Sequence, residues 1–175
     1  MLRRIRAGFA LVGALLLSPT AANAADGDLG VSVGGMVAGT VPRLSISPHA
    51  GVSADLGGLR LGVRDMCSIL PAVDVHGIGV YNHLSATLGY AWPAGDINIG
   101  PSFGVFTMPV CGVSQCARMN GIAPGGTAQA SLYFAGHWGA SARVNVDWMS
   151  EAGGVLPANA VVVVVAGPVL RWSTR

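Results

Sequence analysis

Residues 44–56 alternate strictly between apolar and polar positions. Leu44, Ile46 and every other even position in this range carry an apolar side chain or proline, whereas Ser45 and the other odd positions carry Ser, His, Gly or Asp. Successive side chains of a β-strand point to opposite faces. A period of two over this length therefore predicts a strand with one apolar and one polar face.

Seven other segments show similar or weaker patterns, so the chain is predicted to form eight β-strands. The predicted strands are 29–38, 43–55, 59–65, 84–92, 97–108, 127–135, 138–148 and 159–172. The run Val161–Val165 is apolar at every position, which hides the parity of the last strand.

The connections between these strands alternate between short and long. Tight turns are predicted at 55–58, 93–96 and 136–137, and longer loops at 66–82, 109–126 and 150–158. Only the first connection, around 39–42, is short where a long one is expected. This alternation is typical of an antiparallel up-and-down barrel, and an even strand number places both termini at the end with the tight turns.

The N-terminal residues have the organisation of a secretory signal peptide. Three arginines lie among the first six residues, an apolar stretch follows over Ala7–Leu17, and Ala22-Asn23-Ala24 is a small-residue cleavage site. The apolar stretch is too short for a transmembrane helix. We therefore expect residues 1–24 to be removed and residues 25–175 to form one β-barrel domain.

Removal of the signal peptide changes the charge of the protein. The whole chain has ten Arg, no Lys and eight acidic residues, a formal net charge of +2. Because three Arg lie in the signal peptide, the mature part carries seven basic against eight acidic residues, a net charge of −1. The sequence therefore offers no basic patch and no case for nucleic-acid binding.

Charged residues are too scarce for the surface of an ordinary water-soluble domain. Only 10% of the residues are charged, whereas 51% are hydrophobic. No mature segment is a charge-free apolar run long enough for a transmembrane helix. A closed β-barrel is the other structure that pairs every backbone polar group within a bilayer. We therefore predict an all-β transmembrane barrel with apolar faces toward lipid; a soluble exported barrel that binds an apolar ligand, the alternative, would turn those faces inward.

Aromatic residues lie at the ends of the predicted strands. Trp92, Trp138 and Trp172 are at the turn end with Tyr90 nearby, and Trp148 is at the opposite end. Trp and Tyr combine an apolar body with a polar edge and collect at membrane–water interfaces. These five residues predict two aromatic girdles.

In its signal segment, its alternating strands and its tryptophan positions, the chain resembles the small eight-stranded outer-membrane β-barrel proteins of Gram-negative bacteria. The resemblance is one of pattern and extends over nearly the whole mature chain. It implies a location in the outer membrane, with outer-membrane lipids and the barrel-assembly machinery as partners.

All three cysteines fall in predicted outer loops. Proteins exported to an oxidising compartment form disulfides. Cys111 and Cys116 bracket a short segment, so a bridge between them would leave Cys67 as the odd thiol, and a bond from Cys67 to either of them is the alternative. Because Cys-x-x-Cys spacing is missing, a structural disulfide is favoured over a metal site.

The polar strand faces predict a lumen filled with side chains, since eight strands enclose little more space than those side chains need. The candidate network consists of His49, Asp55, Arg60, Arg64, Tyr133, Arg143 and Asp147. Asp55 and Arg60 flank one tight turn, and Arg64 and Asp147 both lie toward the loop end. Charged groups out of bulk water need partners, so we expect mutual pairing and no wide diffusion pore.

No pattern of residues predicts catalysis, a cofactor or a metal site. A membrane-embedded lipid-modifying hydrolase is the enzymatic alternative, because His137, Ser141 and Asp147 share one strand region. Ser141 and Asp147 are nevertheless about 20 Å apart along an extended strand at ~3.4 Å per residue, too far for one triad. The sequence therefore favours a non-enzymatic barrel with a structural role, or with an interaction role carried by loops of undefined ligand.

Overall fold

The computed structural model describes residues 25–38, 41–71, 78–111, 116–149 and 159–173. The predicted signal peptide, residues 1–24, lies outside them. The described residues form eight strands: β1 (Ala25–Ala38), β2 (Val41–Leu56), β3 (Leu59–Leu70), β4 (Gly79–Trp92), β5 (Gly95–Cys111), β6 (Cys116–Ala135), β7 (Trp138–Met149) and β8 (Asn159–Ser173). No helix in this part of the chain is long and apolar enough to cross a membrane.

The strands close into a barrel. Each strand pairs antiparallel with its neighbour in sequence, and β1 pairs with β8, so none of these eight strands is left as an edge. The predicted antiparallel up-and-down barrel of eight strands is therefore confirmed.

Two-residue turns connect the strands at one end of the barrel, called here the turn end. Gly57 and Gly58 join β2 to β3 with φ angles of 66° and 94°. Positive φ at both positions gives the type I′ turn, whose twist matches that of the flanking strands. The other connections lie at the opposite end, called here the loop end.

The faces of the strands are oriented as the alternation predicts. On β2, Leu44 and Val52 are 56% and 49% exposed, whereas Ser45 and Ser47 are fully buried. Buried and exposed positions alternate without a break along β7. Most apolar side chains of these two strands thus lie outside the barrel and most polar side chains inside.

The parity of β8, which the valine run concealed, is settled by pairing with β1 and β7. Val161, Val163 and Val165 are buried in the lumen, whereas Val164 is 51% exposed. The loop end of the lumen is therefore apolar at this strand.

The strands extend further toward the loop end than predicted. β3 continues to Leu70 and β4 begins at Gly79, and β5 and β6 remain paired up to Cys111 and Cys116. Much of the predicted loops 66–82 and 109–126 is therefore strand. The period of two fails in these segments because lumen-facing residues there are apolar as well, as at Met66 and Ala123.

The remaining predicted connections fall mostly outside the described residues. These include the predicted loop 150–158 and residues 39–40 of the first connection. Val41 and Pro42, predicted as part of that connection, already belong to β2.

Candidate functional site

Arg60 is the centre of a buried group of charges at the turn end of the lumen. Arg60 is 1% exposed, and its guanidinium donates to the carboxylate of Asp26, to Asp96 at 2.9 Å and to Ser53 Oγ at 2.9 Å. Asp55 lies opposite Arg60 in the β2–β3 pair, and its Oδ1 is 3.5 Å from Arg60 Nε. The expected contact between Asp55 and Arg60 is present, and Arg60 also links β3 to β1 and β5.

Arg171 joins this group from β8. It donates to Asp26, its Nη2 lies 3.7 Å from Asp55 Oδ2, and its guanidinium lies 5.0 Å from the centre of the Tyr133 ring. Tyr133 Oη donates to Asp96 at 3.3 Å. The turn-end ion cluster, as we call it, consists of Asp26, Asp55, Arg60, Asp96 and Arg171. Three carboxylates face two guanidinium groups in it, a formal charge of −1.

A second ion pair lies deeper in the lumen. Arg64 donates from Nε and Nη2 to Asp28 Oδ2 at 3.0 and 2.9 Å, and both side chains are buried. A Cβ on Gly51 would lie 2.5 Å from Arg64 Cγ, so glycine leaves the room that this arginine occupies. Arg64 therefore pairs with Asp28. The sequence had suggested Asp147 as its partner, and that expectation is wrong.

Arg143 and His49 are buried at neighbouring positions of the lumen without carboxylate contacts among the described residues. Arg143 donates from Nε and Nη2 to Gln129 Oε1 at 3.0 and 2.7 Å, and Gln129 lies directly opposite on β6. His49 Nδ1 lies 3.4 Å from the carbonyl oxygen of Ser47. The side-chain amide of Gln129 is thus the partner of the Arg143 guanidinium.

Asp147 collects polar groups from two other strands nearer the loop end. Tyr81 Oη and Ser102 Oγ donate to its two carboxylate oxygens at 3.0 and 2.6 Å. His83 Nδ1 lies 3.0 Å from Asp147 Oδ2 but lacks the alignment of a hydrogen bond. Ser102 bonds the carboxylate and not the imidazole, so these residues lack the serine–histidine contact of a hydrolase triad.

The residues of the hydrolase alternative are not brought together. Ser141 and Asp147 both face the lumen from β7, six residues apart, and His137 is exposed in the β6–β7 turn. Ser141 and Asp147 are therefore as far apart in the structure as their spacing in the sequence implies.

Apolar side chains fill the lumen at the loop end. The apolar plug, as we call it, consists of Met36, Met66, Leu70, Tyr81, Phe106, Ala123, Met149, Val161, Val163 and Val165. The rings of Tyr81 and Phe106 meet edge to face with centroids 6.1 Å apart. Sequence reasoning missed this plug, because most of its members lie in segments without apolar–polar alternation.

Several charged members of the lumen were also missed. Asp26 and Asp28 lie two positions apart in a glycine-rich strand, and Asp96 lies two positions before Asn98, which donates to it at 2.7 Å. The spacing of two between these polar residues could have indicated that they share the lumen face. The predicted strands were too short, however, and did not include Asp26, Asp28 and Asp96.

The predicted girdle residues lie near strand ends, and four of them are exposed, whereas Trp92 is half-buried. Tyr90, Trp138 and Trp172 are exposed at the turn end, where the rings of Tyr90 and Trp92 stack with centroids 6.4 Å apart. Trp148 is exposed near the loop end. Four of these aromatic residues are thus near the turn end, and Trp148 alone is near the loop end.

The register of the strands separates the cysteines into a facing pair and a distant third. Cys111 and Cys116 are directly opposite each other in the β5–β6 pair. Cys67 is a free thiol on β3. It pairs with Asn82 of β4, and Asn82 pairs with Val105 of β5, so Cys67 and Val105 lie at the same level of the barrel wall. Six residues of β5 then separate this level from Cys111, about 20 Å at ~3.4 Å per residue.

A cavity of about 610 Å³ opens at the turn end, next to the ion cluster. Its walls include Asp26, Asp55, Trp92, Tyr133, His137 and Arg171. Among the residues that the structure describes, no three His, Cys, Asp or Glu side chains are grouped so as to hold a metal ion.

Comparison with known proteins shows likeness at the level of the fold. No protein-family model matches the chain, and no curated protein matches it in sequence. A major outer membrane protein from Thermus thermophilus aligns with a TM-score of 0.56 and 11% identity over 85% of this chain and 99% of that one. Neisserial surface protein A aligns with a TM-score of 0.55 and 10% identity over 85% and 96% of the two chains.

The N-terminal β-barrel domain of Pseudomonas aeruginosa OprF is similar to the same degree. It aligns with a TM-score of 0.55 and 11% identity over 86% of this chain and 98% of that one. The fold is therefore that of the small eight-stranded outer-membrane β-barrels.

Proposed function

We propose that the protein is an exported β-barrel of the bacterial outer membrane with a structural role or an interaction role at its loop end. The observation that carries this proposal is the inverted distribution of polarity. Large apolar side chains are exposed on every strand, for example Leu29, Leu61 and Ile99, while ion pairs are buried inside. Such a predominantly apolar surface is unfavourable in water and favourable in lipid.

The height of the apolar surface supports the same proposal. On β5 the outward side chains are apolar or proline from Ile97 to Val105, and the next outward residue, Thr107, donates to Asn120 Oδ1 at 2.8 Å. The rise from Ile97 to Val105 is roughly 27 Å along the strand at ~3.4 Å per residue, or about 21 Å along the axis at a tilt of ~40°. This approaches the apolar band of about 25 Å in outer-membrane barrels.

The polarity of the lumen speaks against the soluble, ligand-binding alternative. An apolar ligand inside the barrel would have to displace Arg60, Arg64 and their carboxylate partners. The turn-end ion cluster and the apolar plug occupy the lumen at two levels, which favours a structural or interaction role over transport of large solutes.

The proposal includes the route to the membrane. Residues 1–24 direct export and are removed after Ala24, and the barrel-assembly machinery inserts the barrel among outer-membrane lipids. The aromatic groups at Trp92 and Trp148 then lie at the two interfaces.

Membrane fractionation combined with gel mobility tests this function. After lysis without detergent, the mature protein is expected in the outer-membrane fraction, and unboiled samples are expected to migrate differently from boiled ones. A protein that stays soluble after lysis would contradict the proposal.

A disulfide between Cys111 and Cys116 is part of the proposal, because the two residues face each other in register. Alkylation without prior reduction is expected to label Cys67 alone, and reduction is expected to expose two further thiols, as measured by mass spectrometry. In the control variant Cys116→Ser, Cys67 and Cys111 should both react without reduction. Labelling of all three cysteines in the unreduced wild type would rule the bridge out.

A further inference from the structure

We propose that the α-ammonium group created at Ala25 by signal-peptide removal is a structural member of the turn-end ion cluster, where it pairs with Asp55. This inference rests on the proposed export and on cleavage between Ala24 and Ala25. It assigns a stabilising role to the product of processing.

The three carboxylates of the turn-end ion cluster differ in how many close hydrogen bonds they accept. Asp26 accepts bonds from Arg60 and Arg171, and Asp96 accepts one from Arg60 at 2.9 Å. Within the described part of the chain, Asp55 instead has only the looser contacts of 3.5 and 3.7 Å to the same two guanidinium groups. Its Oδ1 is buried and accepts no hydrogen bond from any residue that the structure describes. A buried carboxylate oxygen without a donor is costly, so one donor is missing beside Asp55.

The formal charge of the cluster points in the same direction. Three carboxylates and two guanidinium groups leave an excess of one negative charge in a largely buried cluster. One additional cation at Asp55 would make the cluster neutral.

The register of β1 and β2 places the nitrogen of Ala25 at this position. Ala25 pairs with Ala54, so its nitrogen lies alongside the next residue of β2, which is Asp55. Neighbouring strands are ~4.8 Å apart, within reach of a carboxylate side chain. The register of the two strands thus allows the group to approach Asp55.

Processing changes the chemistry of this nitrogen. In the precursor it belongs to a neutral peptide bond and has a single hydrogen to donate. After hydrolysis of the Ala24–Ala25 bond it is an ammonium group with a positive charge and three donors. The cluster would thus be complete only in the mature protein, and a chain extended at this end should form a less stable barrel.

The composition of the chain allows a direct test. Because the sequence contains no Lys, the α-amine is the only primary amine of the mature protein. Mature protein is acetylated at this amine while unfolded, refolded in detergent micelles beside untreated protein, and unfolded with guanidinium chloride. We expect acetylation to lower the folding equilibrium constant about fivefold, as for loss of a partly exposed ion pair.

Two carboxylate variants show whether the effect belongs to Asp55. In Asp55→Asn, acetylation should change the equilibrium constant less than about twofold. In Asp65→Asn, whose carboxylate is on the outer face of β3, the fivefold loss should persist. No loss in the wild type, or equal losses in the wild type and Asp55→Asn, would overturn the inference.

A variant with one Gly inserted before Ala25 provides a test that does not alter Asp55. The insertion moves the amine by ~3.4 Å, so stability should fall as it does on acetylation, and acetylation of this variant should have little further effect. A variant as stable as the wild type would contradict the pairing.

The N-terminus of protein isolated from cells separates this inference from the function on which it rests. A different first residue, or a soluble protein, would overturn both. A mature chain that begins at Ala25 in the outer membrane but is insensitive to acetylation would overturn the ammonium pairing alone.

Discussion

Glycines on the lumen face make room for the buried polar side chains of this barrel. Gly51 of β2 leaves the space through which Arg64 reaches Asp28. Gly30 of β1 plays the same part for His49, since a Cβ there would lie 2.6 Å from His49 Nε2. At the residue scale, ion pairing in the lumen therefore depends on missing side chains as much as on charged ones.

Substitution of Gly51 by Ala should destabilise the barrel. The added methyl group would displace Arg64 from Asp28, and overpacking of this kind costs about 1–3 kcal/mol. The free energy of unfolding in detergent micelles is the measurement. Gly35→Ala is the matched control, because a Cβ there meets its nearest atom at 3.8 Å. Equal stability of the two variants would show that Arg64 does not need the space.

A strand can be recognised from the sequence where one of its faces is apolar and the other is polar. This condition holds along β7 and over most of β2, and their predicted bounds differ from the observed ones by two residues or fewer. It fails at the loop ends of β3 and β6, where both faces contain apolar residues or glycine, and there the predicted strands were too short. Recognition of a strand from the sequence thus depended on the difference in polarity between its outward and its lumen-facing residues.

A charge in the middle of the outer face of β5 should impair assembly. Ile99 is 62% exposed, so arginine at this position would be harmless in a water-soluble barrel. In a bilayer Ile99→Arg should cost about 2–4 kcal/mol. Thr107→Arg, on the same face beyond the apolar band, should cost about 0–1 kcal/mol. Folding into lipid vesicles at increasing denaturant measures both, and equal costs would refute the lipid-facing assignment.

Closure of the whole barrel brings together charges that are distant in the chain. Arg171 and Asp26 are 145 positions apart and meet only because β8 pairs with β1. The lumen then contains, from the turn end to the loop end, the ion cluster, the Arg64–Asp28 pair, the Asp147 group and the apolar plug. These layers together occupy the interior of the molecule.

A barrel filled in this way should not admit small sugars. Liposomes that contain the purified protein are expected not to swell in isotonic arabinose, because the ion cluster and the plug obstruct the lumen. Liposomes with a wide general porin are the positive control. Rapid swelling with the purified barrel would show that the described interior opens in a membrane.

The sequence by itself determined the strand number, the antiparallel order and the faces of most strands. These properties depend on local alternation and turn residues, which need no knowledge of distant partners. Asp55 and Arg60 belong to this class, because the turn between them makes them neighbours.

Only the tertiary structure decided which partners meet across the lumen. Arg64 could have paired with any carboxylate of the interior, and the stagger and curvature of the closed sheet selected Asp28. The apolar plug was hidden for a related reason. A lumen-facing Met or Phe cannot be distinguished from a lipid-facing one until the register of its strand is known, since a shift of one residue exchanges the two faces.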